Sequence, residues 1–104
     1  MMLESFDYML FAMLKANLSI TTKSKDEYLG FLLNSAKEQI KREGIVLGET
    51  LEDANLIVMY AAYLFRKRAD AVGAMPVMLR YALNNRLFAQ KCAVSKLDTE
   101  SADV

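Results

Sequence analysis

At 104 residues the chain has the usual size of one domain, and its 54% hydrophobic fraction excludes general disorder. Thirteen basic residues balance thirteen acidic ones, histidine is absent and Cys92 is the single cysteine, so an internal disulfide, a zinc site and a Cys-His nucleophile all lack their parts. The longest apolar run, Leu56 to Phe65, falls short of the ~20 residues that cross a bilayer, and Glu4 and Asp7 interrupt any leader-like start; a soluble protein that stays where it is made is expected.

In chain order, Leu3, Phe6, Leu10, Met13 and Leu14 recur at helical spacing and predict a first helix over about residues 3 to 16. The polar segment NLSITTKSK is a connection, and Ser24 with Glu27 has the spacing of a capping box that opens the second helix. Leu29, Leu32, Leu33, Ala36 and Ile40 form its buried face, with Glu38 and Arg42 as an outward i,i+4 pair and Gly44 as its stop. Phe31 falls on the polar side. GIVLGET is a short loop, after which Thr50 caps a third helix with Asp53 near its positive end. That helix should be central, turning Ile57, Val58, Ala61, Leu64 and Phe65 to the core and Leu56, Met59, Tyr60 and Tyr63 away from it. DAVGA reads as a break, and Pro76 suits the first turn of a fourth helix. The residues from about Ser95 are small, polar and acidic, as expected of a disordered tail. The whole reads as an all-α bundle of about four helices with flexible loops, a single domain over 1–94 and a tail over 95–104. The methionines are expected mainly to fill core gaps.

Charge is unevenly placed. Residues 66 to 96 hold seven Lys or Arg against one acid, Asp70. A basic third can serve nucleic acid or head-to-tail self-association. Arg66, Lys67 and Arg68 fan around the axis at ~100° steps and lie in the last turn, where cations favour the helix dipole, so a solvated helix end is the plainest reading. The fourth helix says more. Leu79, Leu83 and Leu87 make one apolar ridge for the core, while Val77, Tyr81 and Phe88 make a second, with Arg80, Asn84 and Lys91 between them on one side. A surface helix in a monomer needs one such stripe, so the second asks for a partner unless the other helices enclose it. Arg86 lies on a different side from Arg80 and Lys91, which argues against a groove-reading helix. The pair Asn84-Asn85 either ends the helix, one asparagine turning left-handed, or makes amide contacts across an interface. Arg66, Arg68, Val77, Arg80, Tyr81, Asn84 and Phe88 are therefore the candidate interface residues. Glu52-Asp53 is an acidic pair where acids are expected anyway, and no phosphate loop, catalytic triad or metal box accompanies it. Neither an enzyme nor a cofactor is expected.

Three segments taken together, SKDEYLGFLLNSAKEQIKREGI, LEDANLIVMYAAYLFRKR and MPVMLRYALNNRLF, resemble the head-tail connector family of tailed bacteriophages, also called head-completion or adaptor proteins, and within it the prophage versions of Gram-positive bacteria. The resemblance runs from the first helix to about Lys91 and lies in helix order and pattern. It implies a structural protein of the virion, made in the host cytoplasm, whose copies form a ring between the portal and a tail-proximal connector protein. DNA would pass through that ring without tight binding. The family offers no catalytic residue to carry over. The reading from charge alone is a small helical nucleic-acid-binding regulator using the basic C-terminal third.

Overall fold

The computed structural model describes the backbone of residues 2–70 and 75–102 and the side chains of 6–67 and 75–93. Four helices follow one another: α1 (Met2–Leu18), α2 (Asp26–Arg42), α3 (Leu51–Asp70) and α4 (Val77–Ala102), with no strand among the described residues. The all-α bundle expected from the sequence is the observed architecture. Helix α3 packs against the other three, most extensively against α2, and α1 also packs on α2.

Local chemistry sets the helix ends. Helix α1 closes with the Ile20 amide donating to the Lys15 carbonyl at 2.9 Å and the Ser19 amide to Ala16 at 3.3 Å, a Schellman arrangement that places Ser19 at φ 58°, in the left-handed region. Helix α2 does not use the expected capping box. Its N-cap is Lys25, which makes no side-chain cap bond, and Ser24 Oγ sits 3.2 Å from Thr22 Oγ1 instead. The turn closed by Asp26 N–H to the Lys23 carbonyl starts the helix one residue later, so Ser24 lies just outside the capping position. Gly44 ends α2 as expected, at φ +97°, a conformation costly for any side chain. Thr50 caps α3 as expected, its Oγ1 accepting the Asp53 amide at 3.2 Å. Pro76 stands just before α4, its carbonyl accepting the Arg80 amide at 3.1 Å. The α4 backbone passes the expected boundary at Ser95 and continues to Ala102; no proline or glycine in this stretch interrupts a helix. Side chains of the tail lie outside the described residues, as do residues 71–74 of the expected break.

The core is built where the periodicity placed it in α1 and α2. Leu10 and Leu14 of α1 are buried, as is the whole predicted α2 face of Leu29, Leu32, Leu33, Ala36 and Ile40. Helix α3 is enclosed more fully than one stripe would require. Leu56 and Tyr60, expected to face outward, are buried together with Ile57, Val58 and Ala61, because α1, α2 and α4 cover α3 from different sides. Leu64 and Phe65, expected in the core, are partly buried toward the end of the helix. Phe31 is exposed on α2, as its position predicts. The outward charge pair of α2 is Glu38 with Lys41 at 3.9 Å, rather than Glu38 with Arg42.

Candidate interaction surface

Helix α4 docks by one ridge and presents another. Leu79 and Leu83 are buried and Leu87 partly so, as their spacing predicts, which fixes the rotation of the helix on the bundle. That rotation turns Val77, Tyr81 and Phe88 outward, at 62%, 59% and 69% exposure, with Asn84 exposed among them. Around the helix axis these four positions span only ~60°, so they form one strip, widened at its start by the exposed Met78. The helix runs unbroken through Asn84 and Asn85, and Ser19 is the one non-glycine residue with positive φ among the described residues. The alternative in which the asparagines end the helix is therefore excluded.

The two arginines of α4 are engaged inside the molecule. Arg80 grips Glu43 at the end of α2 with both ends of its guanidinium, Nη1 to Oε1 at 3.0 Å and Nη2 to Oε2 at 3.2 Å. The Arg80 hydrogen bonds, outweighing burial, hold the Glu43 carboxyl below its ordinary range. Arg86 points to the other side of α4 and meets Asp53, donating from Nε at 2.6 Å and from Nη2 at 3.2 Å. Asp53 is almost wholly buried, and it also accepts the Gly48 amide at 2.7 Å. Burial pushes its carboxyl up, but the Arg86 and Gly48 hydrogen bonds together outweigh that and leave it lowered. Arg86 Nη2 also donates to the Val46 carbonyl at 2.9 Å. Gln90, one turn on, donates to the Gly44 carbonyl at 2.9 Å and accepts the Val46 amide at 2.7 Å. Asp53, Arg86 and Gln90 thereby fasten the 44–50 loop to both α3 and α4.

Of the residues expected to form an interface, Val77, Tyr81, Asn84 and Phe88 are brought together, and Arg80 lies at their edge with its charge compensated. Arg66 is exposed on α3 and donates to Asn17 on α1 at 3.2 Å; no hydrogen bond or ion pair joins it to α4 among the described residues. The Arg68 side chain lies outside the described residues. Lys67 stands over the Tyr63 ring at 5.8 Å. Sequence reasoning missed Asp53, Glu43 and Gln90. Asp53 carried a usable signal, since Asp53, Ile57 and Ala61 share one face at i, i+4 and i+8, so its carboxylate had to enter the core face and find a cation there.

No protein-family model, curated protein or solved structure matches the chain. The surface itself carries the chemistry available. No group of three or more His, Cys, Asp or Glu side chains is placed to hold a metal ion among the described residues, and no described helix is long and apolar enough to cross a membrane. An open groove of about 270 Å³ between α3 and α4 is lined by Leu56, Met59, Ala82 and Asn85 between Glu52 and Arg86. It continues the α4 strip sideways. What this surface can do is exclude water against another protein, with the asparagine amides to fix register.

Proposed function

We propose that the protein is a virion assembly protein of the head-tail connector type, using the α4 strip to contact a neighbouring subunit or the portal of a phage head. The observation that carries this reading is an exposed apolar strip on a helix whose two arginines are already neutralised by Glu43 and Asp53. Such a face gains from burial against protein and has little to offer a phosphate backbone. The resemblance of the three sequence segments to the connector family supplies the assembly in question. The regulator reading loses two of its cations, because Arg80 and Arg86 are held by carboxylates.

The test mixes purified protein with tail-less heads that carry a portal and measures co-sedimentation and subsequent tail joining. Binding to the heads, abolished by Tyr81→Asp with Phe88→Asp while the variant stays folded, is the expected result. A chain that never binds portal-bearing heads overturns the connector reading. A parallel DNA titration at two salt concentrations that gave tight, sequence-selective binding would favour the regulator instead.

A further inference from the structure

The exposed strip of α4 has a symmetry of its own. Its midpoint falls between Asn84 and Asn85, and Tyr81 and Phe88 lie 3.5 residues to either side of it, about 5 Å along the axis. Val77 and Cys92 stand equally far out, at 7.5 residues, and both are exposed. Read from either end, the strip therefore runs from a small apolar residue through an aromatic to an asparagine amide and back. Its one free-standing charge is Lys91, since Arg80 and Arg86 are compensated within the chain.

From this placement we infer that the strip's partner in the free protein is a second copy of the same strip, laid antiparallel about a two-fold axis through the Asn84–Asn85 midpoint. Rotation about that axis puts Tyr81 of each copy against Phe88 of the other, giving two aromatic pairs where each chain alone has two exposed rings. It also brings each asparagine nearest the axis to its own counterpart. An amide both donates and accepts, so an asparagine satisfies its own copy as a carboxylate or ammonium cannot. This also explains why two poor helix formers stand in mid-helix. No acid lies on the strip, and Lys91 is far from the axis, so the approach of two copies meets little charge repulsion. The strip is only ~22 Å long, which makes a contact well below the ~1,200 Å² of a stable interface, so the dimer is concentration-dependent.

The inference takes from the proposed function only that the strip binds protein, and it adds regulation. A two-fold contact closes on two copies, whereas a ring needs a head-to-tail contact, so the dimer holds the strip covered until a partner displaces it.

The symmetry gives the test. In Asn84→Cys, with Cys92→Ser to remove the natural thiol, two-fold pairing places the new thiol beside its own copy, whereas a head-to-tail contact keeps identical residues apart. Asn34→Cys with Cys92→Ser, exposed on α2, is the control for random collision. Under mild oxidation the position-84 variant is expected to give a covalent dimer at least tenfold faster than the control, and adding Phe88→Asp to return it to the control rate. Equal rates at positions 84 and 34 overturn the two-fold inference, as does a chain that sediments as a monomer at millimolar concentration. Head binding without cross-linking at 84 leaves the connector reading standing while this inference fails; cross-linking without head binding does the reverse.

Discussion

Replacing Arg86 with methionine isolates the buried ion pair that fastens α4 to α3. The substitution keeps most of the side chain's apolar length and removes the guanidinium. It leaves the Asp53 carboxylate, 2% exposed, with the Gly48 amide as its remaining partner, and it deprives the Val46 carbonyl of a donor. Removing one member of a buried pair costs about 3–5 kcal/mol, and the low end applies because the Arg86 side chain retains 19% exposure. The Arg80–Glu43 pair is the internal control. Its side chains are 40% and 33% exposed, so Arg80→Met should cost about 0.5–1 kcal/mol. Urea unfolding followed by circular dichroism measures both. The double variant Asp53→Ala with Arg86→Met should be less destabilised than the sum of its parts by at least ~1.5 kcal/mol, since it removes the stranded charge. Strict additivity, or an Arg86→Met cost no larger than that of Arg80→Met, would refute the claim that Asp53 is held in the core by Arg86.

Acidification tests the same pair with a definite sign. In the folded chain Asp53 and Glu43 titrate below their ordinary values of 3.8 and 4.5, so the stability they contribute is complete above those values and is lost as pH falls through the folded ones. In Arg86→Met the stranded Asp53 carboxyl is raised instead, and the penalty of the substitution should shrink steadily from pH 7 to pH 3 in unfolding midpoints. Ser19→Gly should raise stability by ~0.5–1 kcal/mol, because the residue sits in the left-handed region that glycine adopts without strain; a loss in thermal melting would contradict the α1 terminus described above. Tyr81→Asp with Phe88→Asp should change unfolding free energy by no more than ~0.5 kcal/mol, as expected of exposed positions, and a collapse of the fold would assign the strip to the core.

The parts of the fold legible in the sequence were those governed by one-dimensional periodicity. The α2 face from Leu29 to Ile40 and the α4 ridge of Leu79 and Leu83 follow from i, i+3 and i+4 spacing alone. Gly44 and Thr50 mark helix ends through backbone chemistry that acts within a few residues. Helix α3 defeated the same reasoning, because a helix covered on several sides has no outward stripe for periodicity to find, and Leu56 and Tyr60 were assigned to solvent on that account. The α2 start was misjudged by one residue, since Ser24 bonds within the preceding turn rather than to the helix. Asp53 and Arg86 lie 33 residues apart, and the sequence offered a local reading of each, one as an acid at a helix start and the other as a cation set on a different side of α4 from Arg80 and Lys91. Pairing them required the crossing of α3 and α4. The strip itself was visible, yet its separation from the charges beside it depended on Glu43, which arrives from another helix.

The chain measures 56 × 36 × 18 Å, with a radius of gyration of 15.8 Å, where a compact chain of this length would have about 13 Å. Its thinnest dimension, 18 Å, is about a third of its longest, 56 Å. A body of this form is expected to diffuse more slowly than a sphere of its 11.7 kDa mass and to elute from a sizing column earlier than a globular monomer. Elution volume therefore overstates the mass of a flat subunit. The number of copies in solution has to be weighed, by light scattering or sedimentation equilibrium, rather than inferred from apparent size.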